Sequence, residues 1–332
     1  MNKKRANGRY YTRGNPFQLG PFQRWAKDSN LEQQIVLEPF AGAKDIPQLI
    51  DSAGLLCQDW AFYDIEPGTE GIVQRDTLTD FPKGFNVCIT NPPWLARNSA
   101  TRRGLPFPKS TNYDDLYKYA LEQCLTNCTW VAAIIPEAFI RSGLFLHRLC
   151  DFISLVPQTQ NGITQYSKSR ITSYMFDDTE HPVGLALFAP NVTSDVRVWR
   201  NNQLLGELSK LRRHLPVLSR NRSIVFNEAK GNLGLIAIDN TVSASIRFCP
   251  PTELGEYQVR YQCRSITKIG VPWCPDIDEL NVRLATIREK THDVFLTAFK
   301  GLRSDGYYRR RLDWTLARAI VDIDNPKITS NI

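Results

Sequence analysis

Asn-Val-Cys-Ile-Thr-Asn-Pro-Pro-Trp, residues 86–94, is the stretch from which the architecture is best inferred. Its first five residues form a short apolar run, which predicts a buried strand over 86–90. Two consecutive prolines then fix the backbone and remove two amide donors, so the loop presents carbonyl oxygens that accept hydrogen bonds. Asn91 adds a side-chain acceptor and Trp94 adds a flat aromatic face. Such a loop is suited to holding an amino group on a planar ring.

Four other short apolar runs predict strands of the same kind, at 35–38, 61–64, 129–135 and 183–188. Most of them are continuous rather than alternating, which is typical of parallel strands covered on both faces. Helix-like segments lie between them at 44–53 and 114–125, the second with apolar residues at helical spacing. Strands that alternate with helices predict a doubly wound, mostly parallel α/β domain, which we place within residues 1–190.

Composition limits the class of protein. The 332 residues are 42% hydrophobic and 23% charged, which is ordinary for a globular protein and excludes a disordered chain. No apolar run approaches the length of a membrane span, and none follows the basic N-terminus, so we expect neither a span nor a signal peptide. The eight cysteines form no Cys-x-x-Cys pair. We therefore expect reduced thiols, no metal site and a cytoplasmic protein.

The positive charge is confined to one part of the chain. Residues 1–190 carry equal numbers of basic and acidic side chains, whereas residues 191–332 carry 22 Lys and Arg against 15 Asp and Glu. We expect 191–332 to be a separate region of mixed strands and helices. Its net charge indicates either a solvated basic surface or a polyanionic partner, most simply nucleic acid.

Three acidic residues follow predicted strands upstream of the Asn-Pro-Pro-Trp loop. Glu38 ends one strand and precedes a turn whose Gly42 would let a ligand approach the backbone closely. Asp64 ends the next strand, where nucleoside-binding sheets place a ribose-binding carboxylate. Asp76 supplies a third acceptor, suited to an adenine amino group. Because ligands of open α/β sheets bind beyond the carboxyl ends of the strands, these groups predict one site.

The order of these motifs resembles that of the S-adenosylmethionine-dependent amino-methyltransferases of DNA, in particular the N6-adenine group in which the cofactor motifs precede the catalytic one. The resemblance covers about residues 8–190. It implies a Rossmann-like methyltransferase sheet and S-adenosyl-L-methionine as cofactor. The cofactor-binding residues that it implies are Tyr11, Thr12, Glu38, Pro39, Phe40, Gly42, Asp64, Ile65, Asp76 and Thr77. One departure is Lys44, where family members often carry a second glycine; its side chain would lie over the cofactor carboxylate or point to solvent.

The same resemblance implies the catalytic residues Asn91, Pro92, Pro93 and Trp94. Acceptors on Asn91 and Pro92 would bind the N–H groups of an exocyclic amine, and Trp94 would stack on a base flipped out of the duplex. Phe188 occupies the place of a second aromatic residue against that base. A basic loop over 97–104 would contact phosphate or form a lid through Arg97, Arg102 and Arg103.

The resemblance also implies that residues 191–332 form a DNA target-recognition domain. Candidate contacts there are Arg212, Arg213, Arg220, Arg222, Arg309, Arg310 and Arg311. The expected reaction is site-specific methylation of adenine N6 in double-stranded DNA, within a restriction-modification system that could include a separate cognate endonuclease.

Three alternatives remain open at this point. Methylation of cytosine N4 uses the same chemistry, although those enzymes more often carry Ser where Asn91 stands. Methylation of an RNA amine or a protein glutamine shares the Asn-Pro-Pro loop, usually with Tyr in the fourth position. A catalytically silent DNA-binding protein could also keep the fold.

Overall fold

The computed structural model describes residues 15–109, 111–156, 182–255 and 265–323. They divide into two units, one extending to Leu204 and the other beginning at Leu205. The division lies later than the expected boundary at 190/191, because the strand Arg197–Arg200 pairs with Leu149–Leu155 in the sheet of the first unit.

The first unit is built on a nine-stranded sheet. Its strands are β1 (Ile35–Glu38), β2 (Asp59–Asp64), β3 (Val73–Gln74), β4 (Val87–Thr90), β5 (Trp130–Pro136), β6 (Leu149–Leu155), β7 (Val183–Phe188), β8 (Arg197–Arg200) and β9 (Gln203–Glu207). The division between the two units lies inside β9. The order of the strands is β3-β2-β1-β4-β5-β7-β6-β8-β9. The first five strands are mutually parallel and follow the order of a doubly wound sheet. The expected Rossmann-like, mostly parallel α/β fold is therefore confirmed.

Four helices of this unit are α1 (Gly20–Asp28), α2 (Asp45–Ser52), α3 (Arg97–Arg103) and α4 (Leu116–Asn127). The predicted helices 44–53 and 114–125 correspond to α2 and α4. The prediction of a loop over 97–104 is wrong, because most of this segment forms the helix α3. Gly104 ends α3 in the left-handed conformation that closes many helices, with a φ of 63°.

The centre of the sheet is fully buried, which explains the continuous apolar runs. Val87, Cys88 and Ile89 of β4 have no exposed surface, and the Cys88 side chain lies beside Cys124 and Cys128. Burial and these neighbouring thiols raise the pKa of Cys88 well above its ordinary value. All cysteines in the described ranges are free thiols: Cys88, Cys124, Cys128 and Cys249 are buried, Cys57 and Cys150 are half-buried, and Cys274 is exposed.

Phe188 is not at the site that the resemblance implied. β7 runs antiparallel to both of its neighbours, β5 and β6. Its last residue, Phe188, therefore pairs with Val131 near the start of β5, at the edge of the sheet opposite to the loop that follows β4. The ring is 0% exposed, and the Phe188 carbonyl accepts a hydrogen bond from the Trp25 indole. The residue belongs to the core.

In its described residues, the second unit contains a four-stranded antiparallel sheet, a hairpin and three α-helices. The sheet strands are β10 (Val225–Phe226), β11 (Leu233–Ile236), β12 (Arg247–Cys249) and β13 (Ile266–Gly270), in the order β10-β13-β11-β12, and the hairpin pairs β14 (Thr297–Leu302) with β15 (Tyr308–Arg311). The helices are α5 (Leu208–Arg212), α6 (Ile277–Thr291) and α7 (Trp314–Ile323). One apolar core joins the sheet to α6 and α7. The expected mixed α+β character is confirmed.

The arginine run in β15 is largely structural. Arg310 is buried, and its backbone N–H donates to the carboxylate of Asp239, which has no exposed surface. Asp239 also accepts hydrogen bonds from the guanidinium groups of Arg288 and Arg303, while Arg309 donates to its carbonyl. Burial is the largest single influence on Asp239 and opposes its ionisation. The hydrogen bonds and positive charge of Arg288, together with the backbone N–H groups of Ser245 and Ile246, outweigh it, so the pKa of Asp239 is lowered. Arg310 is thus buried among internal contacts, whereas Arg309 and Arg311 are half-buried, and their expected contact with DNA remains a prediction.

The described residues contain neither a helix that could span a membrane nor a cluster that could bind a metal ion. No helix in these ranges has the length and apolar character that crossing a bilayer requires. No group of three His, Cys, Asp or Glu side chains in the same ranges could hold a metal ion.

Candidate active site

The order of the strands reverses between β1 and β4, which is where open α/β sheets bind their ligands. A cavity of about 570 Å³ lies beyond the carboxyl ends of β1, β2 and β4. Its volume is within the range of small-molecule sites, roughly 300–1,000 Å³. The sequence-predicted residues that line it are Glu38, Phe40, Gly42, Asp64, Ile65, Asp76, Thr77, Asn91, Pro92 and Pro93. Residues from four separate motifs thus share one cavity.

Glu38 is the most unusual group in this cavity. It is only 2% exposed, and its Oε2 atom has no hydrogen-bond partner among the described residues. Burial raises the pKa of Glu38 well above its ordinary value, the carboxylates of Asp45 and Asp64 raise it further, and Lys44 lowers it. A buried oxygen without a partner costs stability, so its presence indicates a ligand that donates a hydrogen bond or carries positive charge.

The turn after β1 brings the backbone close to the cavity. Gly42 lies in the left-handed region with a φ of 53°, and its N–H donates to Asp64 Oδ2 over 3.0 Å. The other Asp64 oxygen accepts from the Glu66 N–H over 2.8 Å. A Cβ on Gly68 would lie 3.0 Å from the Gly42 carbonyl oxygen, so the loop after β2 approaches this turn closely. The Asp64 carboxylate is therefore held in a fixed orientation.

Lys44 makes two contacts that the sequence did not indicate. Its φ of 60° is left-handed, the conformation that glycine adopts most easily. The ammonium group donates to the Glu70 carbonyl over 2.7 Å and lies 4.5 Å from the centre of the Phe62 ring. Lys44 thereby ties the loop after β2 to the turn after β1.

Asp76 and Thr77 form the next part of the wall. The Thr77 hydroxyl donates to the Pro39 carbonyl over 2.8 Å, which connects this turn to the one after β1. Asp76 Oδ1 accepts from the Leu78 N–H over 3.1 Å. Pro39 itself does not line the cavity and contributes through this carbonyl.

The loop after β4 contributes less than the sequence indicated. Asn91, Pro92 and Pro93 line the cavity, but Trp94 does not, and its side chain is only 8% exposed. The structure therefore does not present the face of Trp94 as an open stacking surface in the cavity.

Asp115 supports this loop in a way that sequence reasoning missed. Its Oδ1 accepts from the Leu95 N–H over 3.1 Å, and the Leu116 N–H donates to the Leu95 carbonyl over 3.0 Å. The same carboxylate caps the first turn of α4. Burial raises the pKa of Asp115 to about 6. From the sequence, Asp115-Leu116-Tyr117 resembles the beginning of the helix that the related methyltransferases pack beside the cofactor adenine, which gives no indication of a contact with residue 95.

Arg97, which was expected to contact phosphate or to form part of a lid, makes several contacts within its own unit. Its guanidinium donates to the carbonyls of Thr111 and Tyr113 and stacks 4.5 Å from the centre of the Phe107 ring. These contacts hold the segment after α3 against the cavity. Arg102 and Arg103 are exposed in the last turn of α3, where positive charge is favourable. Their contact with DNA remains a prediction.

An apolar wall completes the cavity on this side, and the sequence did not reveal it. Its members come from four short segments that are distant in the chain: Leu78, Leu95, Leu105, Phe107 and Leu116. Such a surface fits one face of a planar ring. Leu105-Pro106-Phe107-Pro108 could have signalled it, since a proline-rich apolar loop is rarely left fully exposed.

Tyr11 and Thr12, which the resemblance placed over the methionine end of the cofactor, lie outside the described residues. Phe188 is buried at the opposite edge of the sheet, as described above. The remaining residues implied for the cofactor surround one cavity or support its wall.

Comparison with known proteins gives similarity in structure only. No protein-family model and no curated protein matches the chain. The type IIG restriction endonuclease BpuSI is similar over 60% of this chain and 28% of its own, with 13% identity and a TM-score of 0.36. The methyltransferase subunit of a type I restriction-modification system from Streptococcus thermophilus matches over 55% of this chain and 47% of its own, with 15% identity and a TM-score of 0.33. DrdV, in a complex with DNA, matches over 60% of this chain and 28% of its own, with 14% identity and a TM-score of 0.41. This chain spans less than half the length of each of these proteins.

Proposed function

We propose that the chain is an S-adenosylmethionine-dependent DNA methyltransferase that modifies N6 of adenine. The observation that carries the proposal is the shared cavity: the Asn91-Pro92-Pro93 loop opens into the same space as the buried carboxylate of Glu38. One cavity can therefore hold a methyl donor and present acceptors for an amino group beside it.

The residues fit the cofactor. The Oε2 atom of Glu38, which has no partner within the described ranges, suits the cationic amino group of its methionine part. The turn at Gly42 allows a close approach of the backbone, and the oriented carboxylate of Asp64 suits the ribose hydroxyls. Asp76 and the apolar wall suit the amino edge and the face of an adenine ring. When bound, the cofactor supplies an activated methyl group on a sulfonium.

The adenine amino group that receives the methyl group would be held by hydrogen-bond acceptors of the protein. The lone pair of an adenine amino group is delocalised into the ring, so the nitrogen is a weak nucleophile. Asn91 Oδ1 and the Pro92 carbonyl would accept its two N–H bonds and draw the nitrogen toward tetrahedral geometry. Because Pro92 and Pro93 have no N–H, the loop backbone at these two residues offers no competing donor. The contribution of the chain is positioning and electrostatic stabilisation, with no covalent intermediate on the protein.

We infer duplex DNA as substrate from the motif order and from the basic second part of the chain. A base inside a duplex cannot reach a cavity at the end of a sheet, so the target adenine must flip out, at a cost of a few kcal/mol. We place the protein in a restriction-modification system, with specificity supplied by the second unit and any endonuclease acting separately.

The test is methyl transfer to unmethylated bacterial genomic DNA, followed by nucleoside digestion and mass spectrometry. We expect N6-methyladenine from the parent protein and none from Asn91→Ala. N4-methylcytosine would keep the mechanism but replace adenine by cytosine as the target. Methylation of RNA or protein in place of DNA would overturn the proposal, and so would a protein that binds the cofactor but methylates none of the three.

A further inference from the structure

A segment at the beginning of the second unit concentrates positive charge. Between residues 208 and 227 the sequence has five Lys or Arg and no Asp or Glu. The arginines lie at 212, 213, 220 and 222, on either side of the dipeptide Val217-Leu218. Lys210 is paired with Glu207, which immediately precedes the segment, so the excess charge of the segment lies in its four arginines.

Both apolar side chains between the arginines project into solvent. Val217 is 92% exposed and Leu218 is 67% exposed. Arg213, Arg220 and Arg222 are exposed as well. Isolated exposed apolar residues are common, but two consecutive ones at this level, flanked by arginines, indicate a contact surface.

The inward side of the segment is firmly attached to α7. The Ser219 hydroxyl donates to one oxygen of Asp322 over 2.5 Å, and the Asn221 amide donates to the other over 2.7 Å. Arg318 donates to the Asn221 carbonyl over 2.7 Å and stacks on Phe226. Residues 218 to 222 thus alternate between exposed and anchored side chains. We call residues 213–222 the arginine ridge.

This anchoring argues against a merely solvated segment. An extended chain pays a conformational entropy cost when it binds, and the contacts to Asp322 reduce that cost in advance. They keep Leu218, Arg220 and Arg222 facing outward, so the surface is preorganised for a partner.

We propose that the arginine ridge is a DNA-contacting surface of the second unit, with its arginines on phosphates and Val217 and Leu218 in a groove. The identity of the partner rests on the proposed function. Complementary charge favours a polyanion, and the pairing of arginines with an apolar wedge is a known way of binding DNA grooves. The arginines of the ridge are more exposed than those at 309–311, which are half-buried or buried.

The first test is the salt dependence of binding to a labelled duplex of arbitrary sequence, measured by fluorescence anisotropy without cofactor. For Arg220→Ala with Arg222→Ala, we expect affinity to fall about tenfold and the slope of log K against log salt to fall by about 1.8, at about 0.9 per phosphate contact. For Val217→Ser with Leu218→Ser, we expect weaker binding with an unchanged slope, because no charge is lost.

Matched controls are available in the same unit. Val282 is 59% exposed on α6, and the Lys290 side chain is also exposed there. Val282→Ser and Lys290→Ala should leave affinity and slope as in the parent. All four altered ridge side chains are exposed, so circular dichroism should show the parental fold.

Two results would overturn the inference. A parent that binds the duplex, with arginine variants of unchanged affinity and slope, would remove the ridge from the interface and leave the proposed function intact. A parent that binds single-stranded RNA more tightly than the duplex would reject the partner itself. Failure of methyl transfer with normal duplex binding would instead reject the proposed function and leave the ridge standing.

Discussion

At the scale of single residues, the account depends most on buried carboxylates beside the cavity. Glu38 combines burial with an oxygen that has no partner in the part of the chain that the structure describes. Such groups are rare in protein cores, because a buried acceptor without a hydrogen bond lowers the folding stability by about 1–3 kcal/mol. The position is consistent with a carboxylate kept for a ligand.

Glu38→Gln should weaken cofactor binding by more than about tenfold, since the charge that meets an ammonium group is lost. Because burial raises the pKa of Glu38, protonation competes with the binding of a cation up to a higher pH than at an ordinary glutamate. Affinity in the parent should therefore increase with pH, whereas in the variant it should be almost independent of pH. Titration calorimetry in buffers of different ionisation enthalpy measures both effects.

Glu66→Gln is the control, because Glu66 lines the same cavity but is exposed. Its cofactor affinity should stay close to that of the parent. Equal losses in the two variants would mean that Glu38 has no special role.

Asp115 gives a prediction about stability. Its pKa is raised to about 6 by burial, so the folded state holds the proton more tightly than the unfolded chain, whose pKa is near 3.9. Stability from this group is therefore greatest below the unfolded pKa and falls as pH rises to about 6. Asp115→Asn keeps an acceptor for the Leu95 N–H and removes the charge. Above that pH the variant should be more stable by up to about 3 kcal/mol.

Urea unfolding at several pH values tests this expectation. The neighbouring Asp114 is exposed and paired with Lys118, so Asp114→Asn should change stability by less than about 1 kcal/mol. A variant Asp115→Asn that is less stable than the parent at neutral pH would contradict the argument.

At the scale of elements, α3 and the segment after it form a support for the loop that follows β4. Arg97 is the central contact, because one guanidinium serves two backbone carbonyls and the Phe107 ring. Arg97→Met keeps much of the apolar stem but leaves those carbonyls without this donor. Since hydrogen bonds to charged groups contribute about 1.5–3 kcal/mol, we expect the cofactor Kd to rise about tenfold or more.

Hydrogen exchange localises the effect. Exchange should become faster in residues 104–116 and stay unchanged in β4, which is fully buried. Arg102→Met, on the exposed side of α3, is the matched control and should change neither exchange nor Kd. Uniformly faster exchange across the sheet would mean that Arg97 supports the whole fold rather than this wall.

Particular elements show what the sequence could and could not predict. Five of the nine strands, β1, β2, β4, β5 and β7, were predictable because their apolar runs are nearly continuous, and the acids at the ends of β1 and β2 identified the cavity edge. The strand β6 was missed although it is equally buried, because Asp151 and Ser154 interrupt its apolar run. The direction of a strand could not be predicted, because an apolar run such as 183–188 does not show whether it pairs in a parallel or an antiparallel way. Phe188 was placed at the wrong edge of the sheet for this reason. α3 was missed because only Ala100 in it is buried, so it has no apolar periodicity.

The burial of Arg310 could not be predicted because its partner, Asp239, is far away in the sequence. The apolar wall was missed for the same reason. Its side chains belong to separate segments, and only the folded chain brings them together.

At the scale of the whole molecule, both units combine an apolar core with buried charge. The first has the ion pair of Asp151 with Arg197, and the second has a larger network of ions around Asp239. Asp239→Ala should destabilise the second unit by about 3–5 kcal/mol, because two buried guanidinium groups lose a partner. Hydrogen exchange in β11 and β15 measures the effect, and Asp278→Ala, an exposed acid on α6, is the control. An unchanged exchange pattern in the Asp239 variant would show that the network contributes little.

The central claim is that this cavity transfers a methyl group to an adenine amino group held by the loop after β4. The most direct measurement is single-turnover transfer of labelled methyl from S-adenosylmethionine to genomic DNA, alongside the cofactor Kd, in the parent and in Asn91→Ala. The account predicts N6-methyladenine from the parent, and a loss of transfer by about a hundredfold or more in a variant that still binds the cofactor. Equal transfer rates in the two proteins would contradict it.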